Sequence, residues 1–367
     1  MAGTIGLGIV GCGVIGSHRA RLAAAHGAVG SLYLCDLVNE KAAGLAGELQ
    51  ARWTADYQEL VASPDVDAVV VSTSEGAHFL PALAAIEAGK PVLIEKPFVL
   101  DLDEARQLVQ ASSRRGVGVK IGYTQRFRRR YASAKQQLLD GKLGPITSAF
   151  GKIYVTRGVA EAVINRAAKT TASINTLTYL ADLMLWYLEG RRPLSVYAAG
   201  GEGSFFDSHG ALDSNWAVVR LEGGAVAALG VSWELPGFHP ALVASMEVEL
   251  FGRLGTLQID DVHRDVLMVS ELETPSPYNP AYGSRVAQLG SAMPGDWALG
   301  SLYGPMKEET FAFIDSASGK REDPVLADCR HAFNVLALTL AIDRAAGSHE
   351  VVDLTQPTWL LEPKALV

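Results

Sequence analysis

Thr4-Ile5-Gly6-Leu7-Gly8-Ile9-Val10-Gly11-Cys12-Gly13-Val14-Ile15-Gly16 is the stretch that decides the fold. Residues 4–10 form a short apolar run, suited to a strand buried on both faces. It leads directly into Gly11, Gly13 and Gly16, spaced G-x-G-x-x-G, and a helical stretch follows to about residue 26. Gly11 permits the tight turn, Gly13 lets backbone amides approach a pyrophosphate, and Gly16 lets the helix pack on the sheet. Val14 and Ile15 complete the turn, whose helix N-terminus faces the phosphates with its partial positive charge. A second strand, residues 31–35, ends at Asp36, twenty residues beyond Gly16. That is the offset of a carboxylate that receives the adenosine ribose hydroxyls. Such an acid repels a 2′-phosphate and no Arg follows it directly, so NAD(H) is favoured over NADP(H).

Outward from this stretch, strand and helix keep alternating. A strand at 68–72 precedes a helix at 77–88 that stops at Gly89, a suitable left-handed cap. Pro91-Val92-Leu93-Ile94 is another buried strand, ending in Glu95-Lys96-Pro97. Asp101 to Glu104 reads as a helix start with capping-box character, and that helix ends by Gly116. Residues 117–123 supply one more strand. These units predict a doubly wound parallel sheet, a Rossmann domain over residues 1–123. Ligands of such sheets bind at the carboxyl ends of strands, where Lys96 lies. A Lys tuned by partial burial and a nearby cationic cofactor trades protons near neutral pH. The competing reading is a surface Lys paired with Glu95.

From residue 124 the pattern changes. Residues 126–140 and 175–188 read as helices, and strands at 146–155, 195–200, 216–221, 225–233, 245–251 and 255–259 follow without helices between them. Short turns join several, so an α+β domain with an open, mostly antiparallel sheet is expected over 124–367. Residues 303–318 and 327–346 return to helical periodicity, the C-terminal helix being free to pack back on the first domain. Residues 275–300 are loop-like.

The chain of 367 residues carries net charge −8, which argues against a nucleic-acid footprint. Cys12, Cys35 and Cys329 lack framework spacing and read as reduced thiols. No apolar run reaches a membrane span, and no signal peptide is apparent, so a cytoplasmic location is expected. The histidines lack the paired spacing of metal ligands.

Taken together, these residues resemble the Gfo/Idh/MocA oxidoreductases. The likeness runs through Gly11 to Gly16, Asp36, Ser72-Thr73 with His78, Glu95-Lys96-Pro97, Arg126-Phe127, Asp182 with Trp186, and Phe251-Gly252. It implies oxidation or reduction at a secondary carbinol of a sugar, sugar derivative or cyclitol, with Lys96 between the nicotinamide and the reacting oxygen. It also implies that Ser72, Thr73, His78, Glu95 and Lys96 lie on the cofactor, and that the open sheet builds a homodimer or homotetramer. His78 reads equally as a satisfied structural histidine.

The chain departs from the family where an Asp and a His usually stand four residues apart: here they are Asn175 and Tyr179. Residues 175, 179, 182 and 186 share one face of a helix. Tyr179 has three readings: a proton donor and acceptor with its pKa lowered by Lys96, a binder of a substrate hydroxyl, or a packed aromatic. Loss of the His base tilts the reading towards keto-reduction. Asn175, Arg126, Asp182, Lys169 and Tyr303 are the substrate-side candidates, with Arg166 and Lys169 in a loop expected to overhang the cleft. Glu75 stands near the expected nicotinamide ribose, to bind it or to face solvent. Two other functions remain open: a redox-neutral, NAD-dependent glycosidase or lyase, and a non-catalytic sensor of NAD or sugar on the same fold.

Overall fold

A computed structural model of the chain describes residues 4–166, 170–261, 266–289 and 295–361. Contacts divide the chain into two compact units, residues 1–127 with 297–333 and residues 128–296 with 334–367. Residues 297–333 thus belong with the nucleotide-fingerprint region rather than with the sequence that surrounds them.

The first unit is built on strands β1 (Ile5–Val10), β2 (Val29–Cys35), β3 (Arg52–Thr54), β4 (Ala68–Val71), β5 (Val92–Glu95) and β6 (Val119–Gly122). They lie in the order β6-β5-β4-β1-β2-β3, all parallel, and the short strand Ala327–Asp328 adds antiparallel to β6. β1, β4 and β5 are buried at every residue, which is why they read as unbroken apolar runs. Helices α1 (Val14–Ala24), α2 (Asn39–Leu49), α3 (Tyr57–Ala62), α4 (Phe79–Glu87) and α5 (Leu102–Arg115) connect them. The Asp101 side chain accepts from the amides of Asp103 and Glu104 to start α5, and Gly116, at φ 66°, ends it. Helix Pro305–Ala317 places Phe313 and Ile314 in the same apolar core as Leu7, Ile9, Leu34 and Leu93. The strand order reverses between β1 and β4, the position where such sheets open a crevice.

The second unit holds β7 (Ile146–Thr156), β8 (Pro193–Gly201), β9 (Ser214–Leu221), β10 (Val226–Leu235), β11 (Ala244–Gly252) and β12 (Thr256–Asp260), ordered β12-β11-β7-β10-β9-β8. Every pair is antiparallel except β7 with β10. Helices α6 (Arg129–Leu139), α7 (Arg157–Arg166) and α8 (Thr178–Tyr187) belong to this unit. A Cβ on Gly151 of β7 would stand 2.6 Å from the Leu180 side chain and 2.9 Å from Met184, so glycine there lets α8 lie close on the sheet. The opposite face carries the exposed side chains of Tyr197, Trp216 and Val218.

Three expectations are corrected. The continuous helix over 175–188 is a π-helical turn, Ser173–Leu177, followed by α8. Arg166, expected in a loop, ends a helix over Arg157–Arg166, because tertiary packing overrides the poor propensity of Gly158 and the valines. Gly158 is needed there, since a Cβ would meet the Tyr282 ring at 2.5 Å. The loop expected over 275–300 contains strand Gly283–Leu289, paired antiparallel with Val266–Pro275. Val266–Pro275 is mostly exposed while Gly283–Leu289 mixes buried and exposed residues without strict alternation, which leaves little periodicity to read in the sequence.

Candidate active site

In the first unit the glycine turn sits at the end of β1. Gly11 has φ +96°, and a Cβ there would lie 2.6 Å from the Ser72 carbonyl carbon and oxygen; a Cβ on Gly16 would lie 1.8 Å from the Gly11 carbonyl oxygen. Gly13 differs: nothing lies within 4 Å of where its Cβ would be. The α1 N-terminus, at Gly13, has no side-chain cap and no acid in its first turn. Open space over uncapped amides, beside Val14 and Ile15, fits a pyrophosphate. Asp36 closes the turn on its other side. Its Oδ2 accepts from the Cys12 amide at 2.8 Å and its Oδ1 from the Val38 amide at 2.8 Å. The carboxylate is thereby fixed at the end of β2.

Ser72, buried with its hydroxyl unpartnered, and half-buried Thr73 follow β4. His78 is buried between two carbonyls: Nδ1 is 2.9 Å from Pro97 O and Nε2 is 3.2 Å from Thr73 O. Burial pushes its pKa down, opposed by those carbonyls and by Glu75 and Glu95. The ring ties the end of β4 to the cis Lys96-Pro97 bond. Lys96 itself is half-buried at the end of β5. Glu75 is buried, so its solvent-facing alternative is corrected.

Glu95 is turned into the protein. Arg19 of α1, fully buried, donates to Glu95 Oε1 at 2.6 Å, to Glu309 Oε2 at 2.5 Å and to Thr310 Oγ1 at 2.9 Å. Burial opposes the Arg19 charge, and Glu95 and then Glu309 more than offset it, so the guanidinium is held above its ordinary range. Gly122 lies against this pair, since a Cβ would stand 3.0 Å from Arg19 Nη2 and 3.1 Å from Glu95 Oε2. Sequence reasoning missed Arg19 and Glu309. The signal was present: Gly16, Arg19, Ala20 and Ala23 form the buried stripe of α1, and a charge on such a stripe needs a partner.

Arg126 is buried in the turn Thr124–Phe127, donating to Val325 O at 3.4 Å, with Nη2 2.6 Å from His331 Nε2. Tyr303 is 56% exposed on the short strand Ser301–Tyr303.

In the second unit Asn175 is buried on the π-helical turn, its amide donating to Thr171 O at 2.9 Å. Tyr179 is half-buried in the first turn of α8 and Asp182 is fully buried. The π-helical turn over Ser173–Leu177 interrupts the regular α-helical spacing expected between Asn175 and Tyr179. Trp186 is a packing residue: its ring stacks on Tyr187 at 5.6 Å, and Lys135 Nζ stands 5.5 Å from its centroid. Arg166 is exposed at the end of α7, while Lys169 lies outside the described residues.

Burial pushes the Cys12 and Cys35 thiols up to about 12, with Asp36 adding to it, so neither is an activated nucleophile. Among the described residues no cluster of His, Cys, Asp or Glu could hold a metal ion, and no helix is long and apolar enough to cross a membrane.

Residues 5–123 match the family model described as oxidoreductase family, NAD-binding Rossmann fold, and residues 131–258 match the GFO/IDH/MocA C-terminal domain. The chain is 32% identical over 200 residues to inositol 2-dehydrogenase of Salmonella typhimurium, covering 53% of this chain and 58% of that protein. It thus spans little more than half the length of that relative. Myo-inositol dehydrogenase Hyg17 of Streptomyces leeuwenhoekii is 27% identical over 94% of this chain and 98% of its own. Scyllo-inositol dehydrogenase from Lactobacillus casei, solved with bound NAD(H) and scyllo-inositol, has TM-score 0.77 at 21% identity, over 96% of this chain and 100% of that one. WlbA dehydrogenase from Bordetella pertussis, in complex with NADH and UDP-GlcNAcA, has TM-score 0.74 at 21% identity, over 96% and 99%. At these identities the solved structures share the fold.

Proposed function

The chain belongs to the Gfo/Idh/MocA oxidoreductase family, and we propose that it exchanges a hydride with a secondary carbinol of a cyclitol or sugar-like substrate. NAD(H), when bound, supplies the hydride acceptor or donor. Lys96 is assigned the proton of the reacting hydroxyl: oxidation needs it removed as the hydride leaves, reduction needs it returned. The observation that carries the assignment is the bracing of Lys96. On one side Glu95 is locked by the buried Arg19, and on the other His78 holds Pro97. A proton carrier held this firmly keeps its geometry through turnover.

Tyr179 is assigned a share of the proton transfer, because a phenol both donates and accepts. Asn175 is assigned to a substrate hydroxyl or carbonyl, using its amide donors and its oxygen. Asp182, Arg126, Tyr303 and Lys169 follow as further substrate-side residues, Arg126 with the least support because His331 and Val325 already engage its guanidinium. Ser72, Thr73 and His78 are assigned to the cofactor side, with Glu95 acting through Arg19. Asp36 favours NAD(H) over NADP(H), since its fixed carboxylate repels a 2′-phosphate. The exposed apolar face of the second sheet, with Trp216 46% and Val218 49% exposed, supports self-association into a homodimer or homotetramer.

The test is NAD reduction with myo- and scyllo-inositol and with sugar alcohols, beside NADH oxidation with the corresponding ketones. Wild type, Lys96→Ala and Tyr179→Phe are compared. The expected result is turnover that Lys96→Ala abolishes and Tyr179→Phe lowers at least tenfold, about 1.4 kcal/mol of barrier. Full turnover in Lys96→Ala refutes the assignment. Nucleotide binding without turnover of any polyol or ketone favours a redox-neutral enzyme or a sensor instead.

A further inference from the structure

The π-helical turn Ser173–Leu177 is an uncommon backbone form that needs support from outside itself. Several of its supports lead to one carboxylate. Asp343, on helix Cys329–Ser348, accepts from Thr171 Oγ1 at 2.5 Å and from Asn215 Nδ2 at 3.0 Å. The same Asn215 amide donates to Ser173 Oγ at 2.8 Å. Thr171 Oγ1 in turn accepts from the Ile174 amide at 3.1 Å, and Thr171 O accepts from the Asn175 amide at 2.9 Å. From the sheet side, Trp233 Nε1 donates to Thr176 Oγ1 at 2.8 Å.

The groups that act on Asp343 are the hydroxyls of Thr171 and Ser173 and the amide of Asn215, none of them a cation, and the neighbouring Arg344 is exposed. Burial pushes its carboxyl up to about 6 against those three hydrogen bonds. A neutral amide of the same shape would fill the space without the desolvation of a charge. What the half-buried carboxylate adds over an amide is a pure acceptor for the donors at the π-helical turn.

We propose that Asp343 is a positioning residue for the segment bearing Asn175 and Tyr179, holding the π-helical turn while it is ionised. An ionised carboxylate only accepts, which suits the donors that face it. Once protonated it donates from one oxygen, so a charge-assisted contact to a hydroxyl is reversed into a weaker neutral one and the grip on the turn loosens. The proposal rests on the reading that Asn175 and Tyr179 serve the substrate, but the clamp is measurable without turnover.

Hydrogen exchange of the amides of residues 173–179 would be followed from pH 5 to 8 in wild type, Asp343→Asn and Thr171→Val, with NADH binding, thermal midpoints and kcat recorded alongside. Protection in wild type should fall at least fivefold below pH 6, and it should be low and independent of pH in Asp343→Asn. At pH 7.5 that variant should keep its thermal midpoint and NADH affinity while kcat drops at least fivefold. Thr171→Val should weaken protection and shift the pH at which it is lost. Protection that is the same in wild type and Asp343→Asn at every pH overturns the proposal, as does a loss of kcat that merely tracks a lower thermal midpoint. If wild type turns over no substrate yet the exchange results hold, the functional reading fails and the clamp stands.

Discussion

Replacing Arg19 by Met should be among the most damaging single changes in the first unit. Arg19 is fully buried between two carboxylates, Glu95 and Glu309, whose side chains are 11% and 1% exposed. Methionine fills most of the volume but removes the guanidinium that pairs with both acids, leaving Glu95 and Glu309 without that charge. Breaking a buried ion pair in this way costs about 3–5 kcal/mol, against a total stability of about 5–15 kcal/mol. With a urea slope of about 2 kcal/mol/M, the midpoint should fall by about 2 M. NADH binding, followed through the urea titration, reports on this unit. Charge imbalance rather than shape is the cause, so Arg19→Met combined with Glu95→Gln and Glu309→Gln should recover more than half of the loss. Glu309→Gln alone leaves an Arg19–Glu95 pair and should cost less than Arg19→Met. The reasoning is refuted if the triple variant is as unstable as Arg19→Met, since the loss would then come from packing or from the Thr310 contact.

Gly13→Ala should leave the thermal midpoint within about 1 °C, because its methyl group meets nothing within 4 Å, yet raise the NADH Kd at least tenfold. Unchanged affinity would take the phosphates away from this turn. Asp36→Asn should raise the ratio of NADPH to NADH in kcat/KM at least tenfold, about 1.4 kcal/mol, and an unmoved ratio removes the carboxylate from cofactor choice. His78 has its pKa lowered by burial, so the unfolded chain takes up a proton that the folded one refuses as pH drops below the ordinary value of 6.5. Its contribution to stability is therefore present above pH 6.5 and lost as pH falls through the lower folded value. His78→Gln should flatten the fall in thermal midpoint between pH 7 and pH 5, and an equally steep fall would place the titration elsewhere.

The parallel sheet was legible because its signals are local and redundant. β1, β4 and β5 are apolar at almost every position, Gly11 and Gly16 have no room for a side chain, and Asp36 stands at the offset that ribose recognition sets. The Arg19–Glu95–Glu309 cluster was not legible in the same way, for it joins residues 290 apart in the chain. Only the misplaced charge on the apolar stripe of α1 hinted at it. Glu95 was misleading for the same reason: beside Lys96 in sequence, it reads as a cofactor ligand or a local ion pair, while its carboxylate is claimed from behind.

The π-helical turn marks the limit of periodicity itself. Asn175, Tyr179 and Asp182 fit α-helical spacing in the sequence, and nothing in the residue types between them announces a wider turn. What makes the wider turn tenable is a set of donors and acceptors remote in sequence: Asn215 on β9, Trp233 on β10 and Asp343 near the chain's end. The backbone at the candidate substrate residues is thus braced by side chains remote from Asn175 and Tyr179 in sequence. A substitution at Asp343 or Asn215 should therefore alter the site more than many changes closer to it, and a scan restricted to residues 173–182 would not find the cause.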